Sequence, residues 1–306
     1  LATVLPKPKL PFNNYMTQKF KIVVLAKQVP DTRNVGKNAM KEDGTVNRAA
    51  LAAIFNPEDM NALEQALRLK DRFPGSEVLL LTMGPGRAAE VIREGYYRGA
   101  DGGVLLTDRK FAGADTLATS YALSMAIKKM NPHIIIAGRQ AIDGDTAQVG
   151  PQVAEKLNFP QVTYAEEIQG FEDGKLVVKR RLERGVETVK TTLPAVITVH
   201  ATAPACRPRN AKQIMRYKHA RTNSEALDNE HNSYLPVQTK EELIIPEWGV
   251  ADVGGEEINY GLSGSPTKVK KIENIVFQAK ESKKLTSSVE DIDYLITELI
   301  DSHTIG

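Results

Sequence analysis

Short, unbroken apolar runs alternate with stretches of helical period along the first half of the chain. "KIVVLAK" (21–27), "EVLLLTM" (77–83), "GGVLLTD" (102–108) and "HIIIAG" (133–138) offer no polar face, the pattern of strands buried on both sides. "FNPEDMNALEQALRLKDRF" opens on Asn56 as an expected N-cap, with Pro57 at the first helical position and Glu58 and Asp59 in the first turn, where acidic groups favour the helix dipole. Met60, Leu63 and Leu67 give that helix its buried stripe. "AAEVIREGYYRG" and "GADTLATSYALSMAIKKM", the second with Asp115 or Thr116 near its cap, continue the alternation. The prediction is an α/β fold, Rossmann-like and three-layered, whose parallel sheet carries helices on both faces.

After Pro160 the pattern changes. Alternating segments around Asp173-Gly174 and Arg184-Gly185 predict antiparallel hairpins. Regular structure then lapses around "ATAPACRPRN". The basic stretch "KQIMRYKHAR" predicts a solvated surface helix, with a partner-docking helix as the alternative. From Arg221 the chain is polar, and its pieces "WGVADVGG" and "GLSGSPTKVKK" are rich in glycine. "SVEDIDYLITELI" predicts a last helix with Val289, Ile292, Leu295, Ile296 and Leu299 on one stripe. The expected division is a disordered leader at 1–16, with Met16 a candidate natural start, an α/β nucleotide-binding domain at 17–220, and an arm at 221–306 that needs a partner's surface.

Composition narrows the function classes. With 42% hydrophobic and 25% charged residues this is an ordinary globular chain, and a net charge of +2 spread along it gives no nucleic-acid footprint. One cysteine, Cys206, excludes an internal disulfide framework and a cysteine-rich zinc site, which fits a cytoplasmic location. No window approaches the roughly 18 apolar residues of a membrane span, so no membrane insertion is expected. His133, His200 and His219 are not spaced as metal ligands. No nucleophile–base arrangement stands out either. Neither a metal site nor a catalytic side chain is expected.

In a parallel sheet, ligands bind beyond the carboxyl ends of the strands. "GPGRAAEVIREG" is not the dinucleotide fingerprint G-x-G-x-x-G, and there is no Gly-Lys-Ser/Thr phosphate loop. The turn "AGRQAIDGDTAQVGPQVAEKL" (137–157) offers another solution. Gly144 is expected to permit an unusual backbone, and Asp145 or Thr146 to cap a helix beginning near Ala147. The amides of Thr146, Ala147, Gln148, Val149 and Gly150 would then seat a phosphate or pyrophosphate, with Gly150 allowing close approach. Asp143 would bond a hydroxyl or amide, or brace the turn. The plainer reading is an Asp-Gly turn with a capped helix. A nucleotide binder without catalytic side chains suits a redox carrier, since a flavin brings its own electron chemistry.

These residues resemble the beta subunits of electron-transfer flavoproteins. The likeness runs from about Lys21 to the C-terminus through "VVLAKQVPDT", "FNPEDMNALEQALRLKD", "LTMGPGRAAEVIREGYYRGAD" and, above all, "AGRQAIDGDTAQVGPQVAEKLNFPQVTYA". "RRLERGVETVKTTLPAVITV" is similar to the family's signature hairpin, although Arg184 stands where an acidic residue or glycine is commoner. "GLSGSPTKVKK" resembles the arm of bacterial members. The resemblance implies a heterodimer with an alpha subunit that holds the electron-transferring FAD. It also implies a second nucleotide in this chain: structural AMP in the housekeeping branch, or FAD reduced by NADH in the electron-bifurcating branch. "DGDTAQVGPQ" and "FNPEDMNALEQAL" look more like the bifurcating members. By position, the nucleotide would meet Ala26 and Lys27, Asn56, Met83, Gly84 and Pro85, and the strand end at Gly138 and Gln140, with its phosphates resting on residues 143–150. "CRPRNAKQIMRYKHA" aligns with the loop that docks acyl-CoA dehydrogenases, yet Ala211 falls where that branch has a leucine anchor, which leaves the redox partner open. The alternative function is a stand-alone adenine-nucleotide sensor of the universal-stress-protein kind. An ATP-pyrophosphatase would need a Ser-Gly-Gly loop that "AKQVPDT" lacks.

Overall fold

Each apolar run becomes a strand whose side chains alternate between two separate cores. The computed structural model describes residues 18–31, 52–227, 241–267, 282–302 and 304–305; the expected leader at 1–16 lies outside them. In chain order the elements begin β1 (Lys21–Leu25), β2 (Gln28–Pro30), β3 (Ala53–Phe55), α1 (Pro57–Arg72), β4 (Glu77–Met83), α2 (Ala89–Tyr96) and β5 (Gly102–Leu106). They continue α3 (Thr116–Met130), β6 (Ile134–Gly138), α4 (Val149–Leu157), β7 (Gln161–Glu172), β8 (Lys175–Leu182), β9 (Gly185–Thr191) and β10 (Ala195–Val199). The last are α5 (Ala211–Tyr217), β11 (Arg221–Thr222), α6 (Asn223–Leu227), β12 (Ile244–Ile245), β13 (Glu247–Trp248), α7 (Val250–Val253) and α8 (Val289–Asp301).

The main sheet has the order β13-β5-β4-β1-β6-β10-β7-β8-β9. It is parallel from β13 to β7 and antiparallel through β7, β8 and β9, as the two hairpin turns predict. Ile22, Val24, Leu80, Ile134 and Ile197 face a core shared with α1 and α2. Val23, Leu25, Leu81, Ile135 and Val196 face the opposite core, shared with α3 and α4. Burial on both faces is why these strands carry no polar alternation. From β1 the chain winds outward through β4 to β5, then returns across β1 to β6 and winds the other way. The carboxyl ends of β1 and β6 therefore flank the switch point, where an open sheet leaves a crevice.

Part of the segment expected to form an arm packs on this chain itself. β13 adds to the sheet edge beside β5, with Leu105 N–H donating to Pro246 O and Thr107 N–H to Trp248 O. Lys129 lies over the Trp248 ring at 4.3 Å. Tyr260, 2% exposed, sits edge-on between Phe111 and Tyr121 with ring centroids 5.3 and 5.0 Å away. Residues 244–267 thus fold onto this chain's own sheet and α3. The aromatic at 260 supplies the anchor that the surrounding glycines conceal in the sequence. By contrast α8 is amphipathic as predicted, but Val289, Ile292, Leu295, Ile296 and Ile300 are all exposed. Among the described residues no helix is long and apolar enough to cross a membrane.

Candidate functional site

Two strand ends meet over the first turn of α1. Asp59, 7% exposed, accepts the N–H of Lys27 at 2.9 Å and that of Gly138 at 3.0 Å, tying β1 to β6 beneath the crevice. Burial pushes its carboxyl up to about 7, against the pull of the Lys27 amide, the Asn56 side chain and the Gly138 amide, while Glu58 next to it pushes the same way as burial. Gly138 is obligatory here, because a Cβ would stand 2.5 Å from Asp59 Oδ1 and 2.7 Å from the Glu58 carbonyl carbon. The sequence pattern placed Glu58 and Asp59 only as dipole partners of the helix. Their first task is to fasten the site.

Residues 139–148 form a loop held from four directions. Asn56, fully buried, does not cap α1 with its side chain. Its amide instead donates to Gln140 O at 2.9 Å, and its oxygen accepts Ile142 N–H at 3.2 Å. Glu58 pairs with Arg139 at 2.8 Å. Lys27 Nζ reaches both oxygens of Asp143 at 2.8 Å, so Asp143 braces the turn, and Gln140 donates to Asp145 at 2.7 Å. Thr116 on α3 donates to Gln148 at 2.7 Å. Asn56→Ala should cost about 2–3 kcal/mol by leaving two loop groups unpaired. Urea unfolding, with amide exchange of residues 140–148, measures this; an unchanged midpoint would mean the loop holds itself.

The turn itself departs from the expected geometry. Gly144 has ordinary backbone geometry and open space around it, whereas Asp145 (φ 48°) and Ala147 (φ 53°) take the left-handed conformation. Gln148 follows in the right-handed one (φ −100°, ψ −33°), an alternation that turns successive amides toward one side. The helix α4 starts at Val149, not near Ala147, and neither Asp145 nor Thr146 caps it; Gln148 occupies the cap position with no side-chain hydrogen bond. Among the described residues the amides of 146–150 have no acceptor, and Pro151 in the first turn has no N–H to satisfy. Gly150 lines the cleft and also has a packing role that the sequence does not show. A Cβ there would meet Thr198 Cγ2 at 2.6 Å, so the glycine lets α4 close onto β10.

Above these groups lies a cleft of about 660 Å³, within the range of small-molecule sites, roughly 300–1,000 Å³. Its lining combines residues 144–150 with the apolar Leu81, Met83, Phe111 and Leu123. Of the predicted contacts, Ala26, Lys27, Met83, Gly138, Gln140 and residues 144–150 line it. Asn56 and Asp143 act from behind the wall through the bonds above. Gly84 and Pro85 do not line it: Gly84 N–H bonds to Leu106 O and Pro85 starts the turn into α2. Asp59, Asp115, Thr116 and Thr267 line it without having been singled out. The described residues contain no group of three or more His, Cys, Asp or Glu fit to hold a metal ion.

An uncapped helix N-terminus, a left-handed turn and a long half-apolar cleft can hold a phosphate-bearing ligand with a planar ring. The electron transfer flavoprotein domain family matches residues 43–227. The chain is 39% identical over 292 residues to the electron transfer flavoprotein subunit beta of Clostridium acetobutylicum, covering 93% of this chain and 99% of that protein. It is 42% identical to the caffeyl-CoA reductase-Etf complex subunit CarD of Acetobacterium woodii, over 81% and 86% of the two chains. It is 41% identical to the acryloyl-CoA reductase electron transfer subunit gamma of Anaerotignum propionicum, over 93% and 100%. The fold, the cleft and these relatives together show that the chain belongs to the electron transfer flavoprotein family, among its beta subunits.

Proposed function

We propose that this chain pairs with an alpha subunit and holds FAD in its own cleft, passing electrons from NADH toward a CoA-linked reductase or another redox partner. The observation that carries this reading is one cleft, about 660 Å³ in volume, lined both by residues 146–150, whose amides are unpaired among the described residues, and by Leu81, Met83, Phe111 and Leu123. The amides of 146–150 would take the phosphates, backed by the α4 dipole. The apolar lining would take a ring and exclude water. Asp59 and Asn56 keep strand ends and loop in register, and the Lys27–Asp143 pair keeps a carboxylate from facing the phosphates. FAD bound there would supply two-electron acceptance and one-electron release, the chemistry that bifurcation requires. Two of the relatives above belong by name to CoA reductase systems.

Partner binding has two candidate faces. The exposed apolar stripe of α8 fits the alpha subunit. The strap 201–210 with α5 fits a redox partner: Glu64 accepts Arg207 N–H and Nε–H at 3.0 Å, and Asn61 donates to Ala203 O at 2.6 Å. Ala211 offers no large anchor there, while Met215 is 64% exposed. Denaturing the purified alpha–beta complex and counting released nucleotides tests the proposal. Two FAD per heterodimer is the expected result. One FAD with one AMP would refute flavin in this chain and leave a structural nucleotide.

A further inference from the structure

We propose that Asp115 and Thr267 form a clasp that closes the outer wall of the cleft and sets how fast a bound nucleotide leaves. This deepens the reading of the cleft as a nucleotide site and rests on it. Both residues line the cleft, and they lie 152 positions apart in the sequence. Asp115 Oδ1 caps α3, accepting Leu117 N–H at 2.9 Å and Ala118 N–H at 3.0 Å. Its Oδ2 accepts the Thr267 hydroxyl at 2.6 Å and the Thr267 amide at 3.2 Å. In return, Asp115 N–H donates to Ser265 Oγ at 2.8 Å, and Ser265, 5% exposed, donates on to Gly261 O at 2.7 Å.

The segment has a fixed end and a fastened end. Tyr260 is the pin, buried between Phe111 and Tyr121. Gly261 (φ +53°) turns the chain where a Cβ would collide with the Lys110 carbonyl oxygen, so the wall must bend there. From that bend to Thr267 the wall is fastened to α3 chiefly by the Asp115 bonds. A carboxylate accepting a hydroxyl is a strong bond of its kind, and both of its members here bond one another, leaving the ligand to other groups. They are positioning residues, and opening the wall requires breaking that bond.

Thr267→Val removes the hydroxyl while keeping the side-chain size and the Asp115 cap of α3. In the complete alpha–beta complex, release from the beta cleft is followed by exchange of radiolabelled AMP or by recovery of FAD fluorescence, whichever nucleotide the wild type carries. The variant should release it about tenfold faster, as expected for one lost charge-assisted bond. Thr267→Ser should restore the wild-type rate, with the heterodimer mass and the alpha flavin content unchanged throughout. A release rate within twofold of wild type would overturn the clasp, and so would faster release accompanied by subunit dissociation. A wild-type complex with no nucleotide in the beta cleft would instead sink the underlying functional reading.

Discussion

Replacing Gly150 with valine is expected to strip the nucleotide from the beta cleft, about tenfold or more in retained ligand, while the alpha subunit keeps its FAD. The cause is overpacking between α4 and β10. A Cβ at 150 stands 2.6 Å from Thr198 Cγ2, and the strain, about 1–3 kcal/mol, is relieved by moving the helix whose amides are proposed to seat the phosphates. Gly150→Ala should show the same effect more mildly. Combining it with Thr198→Ser removes the methyl group that the new Cβ strikes. The hydroxyl that accepts Tyr164 N–H at 3.3 Å is kept, so retention should return to near wild type. Were Gly150 instead a point of ligand approach, the serine would rescue nothing, and nucleotide counting separates the two cases.

Asp59 should give the domain a pH dependence opposite to that of most carboxylates. Its folded-state pKa, about 7, lies above the ordinary aspartate value of 3.8, so between these values the folded chain holds a proton that the unfolded chain has released. The contribution of Asp59 to stability is therefore greatest below about pH 4, falls as the pH rises toward 7, and levels off beyond. The slope is up to about 1.4 kcal/mol per pH unit and the whole fall up to about 4 kcal/mol. Asp59→Asn cannot titrate, and it leaves either the Lys27 or the Gly138 amide facing an NH2 group, at a cost of about 1–3 kcal/mol. The wild type should exceed the variant most at pH 5, with the gap shrinking toward pH 7. Urea unfolding of both proteins between pH 5 and 8 measures it. A gap that stays constant across that range would show that Asp59 does not titrate there.

What the sequence reveals tracks how local the physics is. The strands were legible because a strand buried on both faces must be apolar throughout, and the helices because their stripes have helical period. Asp115 was legible as a cap because its hydrogen bonds reach only two and three residues ahead. The turn at 143–150 was legible as a site but not in its geometry. The left-handed positions fell on Asp145, which tolerates that conformation, and on Ala147, which ordinarily avoids it, while Gly144, the obvious candidate, has none of it. Asn56 looked like a cap, and it spends its side chain on a loop 84 and 86 positions away. The packing role of Gly150 depends on Thr198, on another strand, and no local pattern shows it. Residues 244–267 looked like part of an arm because two-residue strands leave no period to read and Tyr260 stands alone among glycines.

The pairing of β13 with β5 has a consequence for synthesis. The open side of β5 is completed by Glu247 and Trp248, made some 140 residues after the strand they cover. Until then a nascent chain carries a bare row of amides and carbonyls along β5, a template for a neighbouring polypeptide. Ribosome stalling or a premature stop anywhere between residues 107 and 246 would release chains sticky along that one border, whereas a stop after Trp248 would not. Protection against aggregation thus arrives with the last stretch of the domain to leave the ribosome.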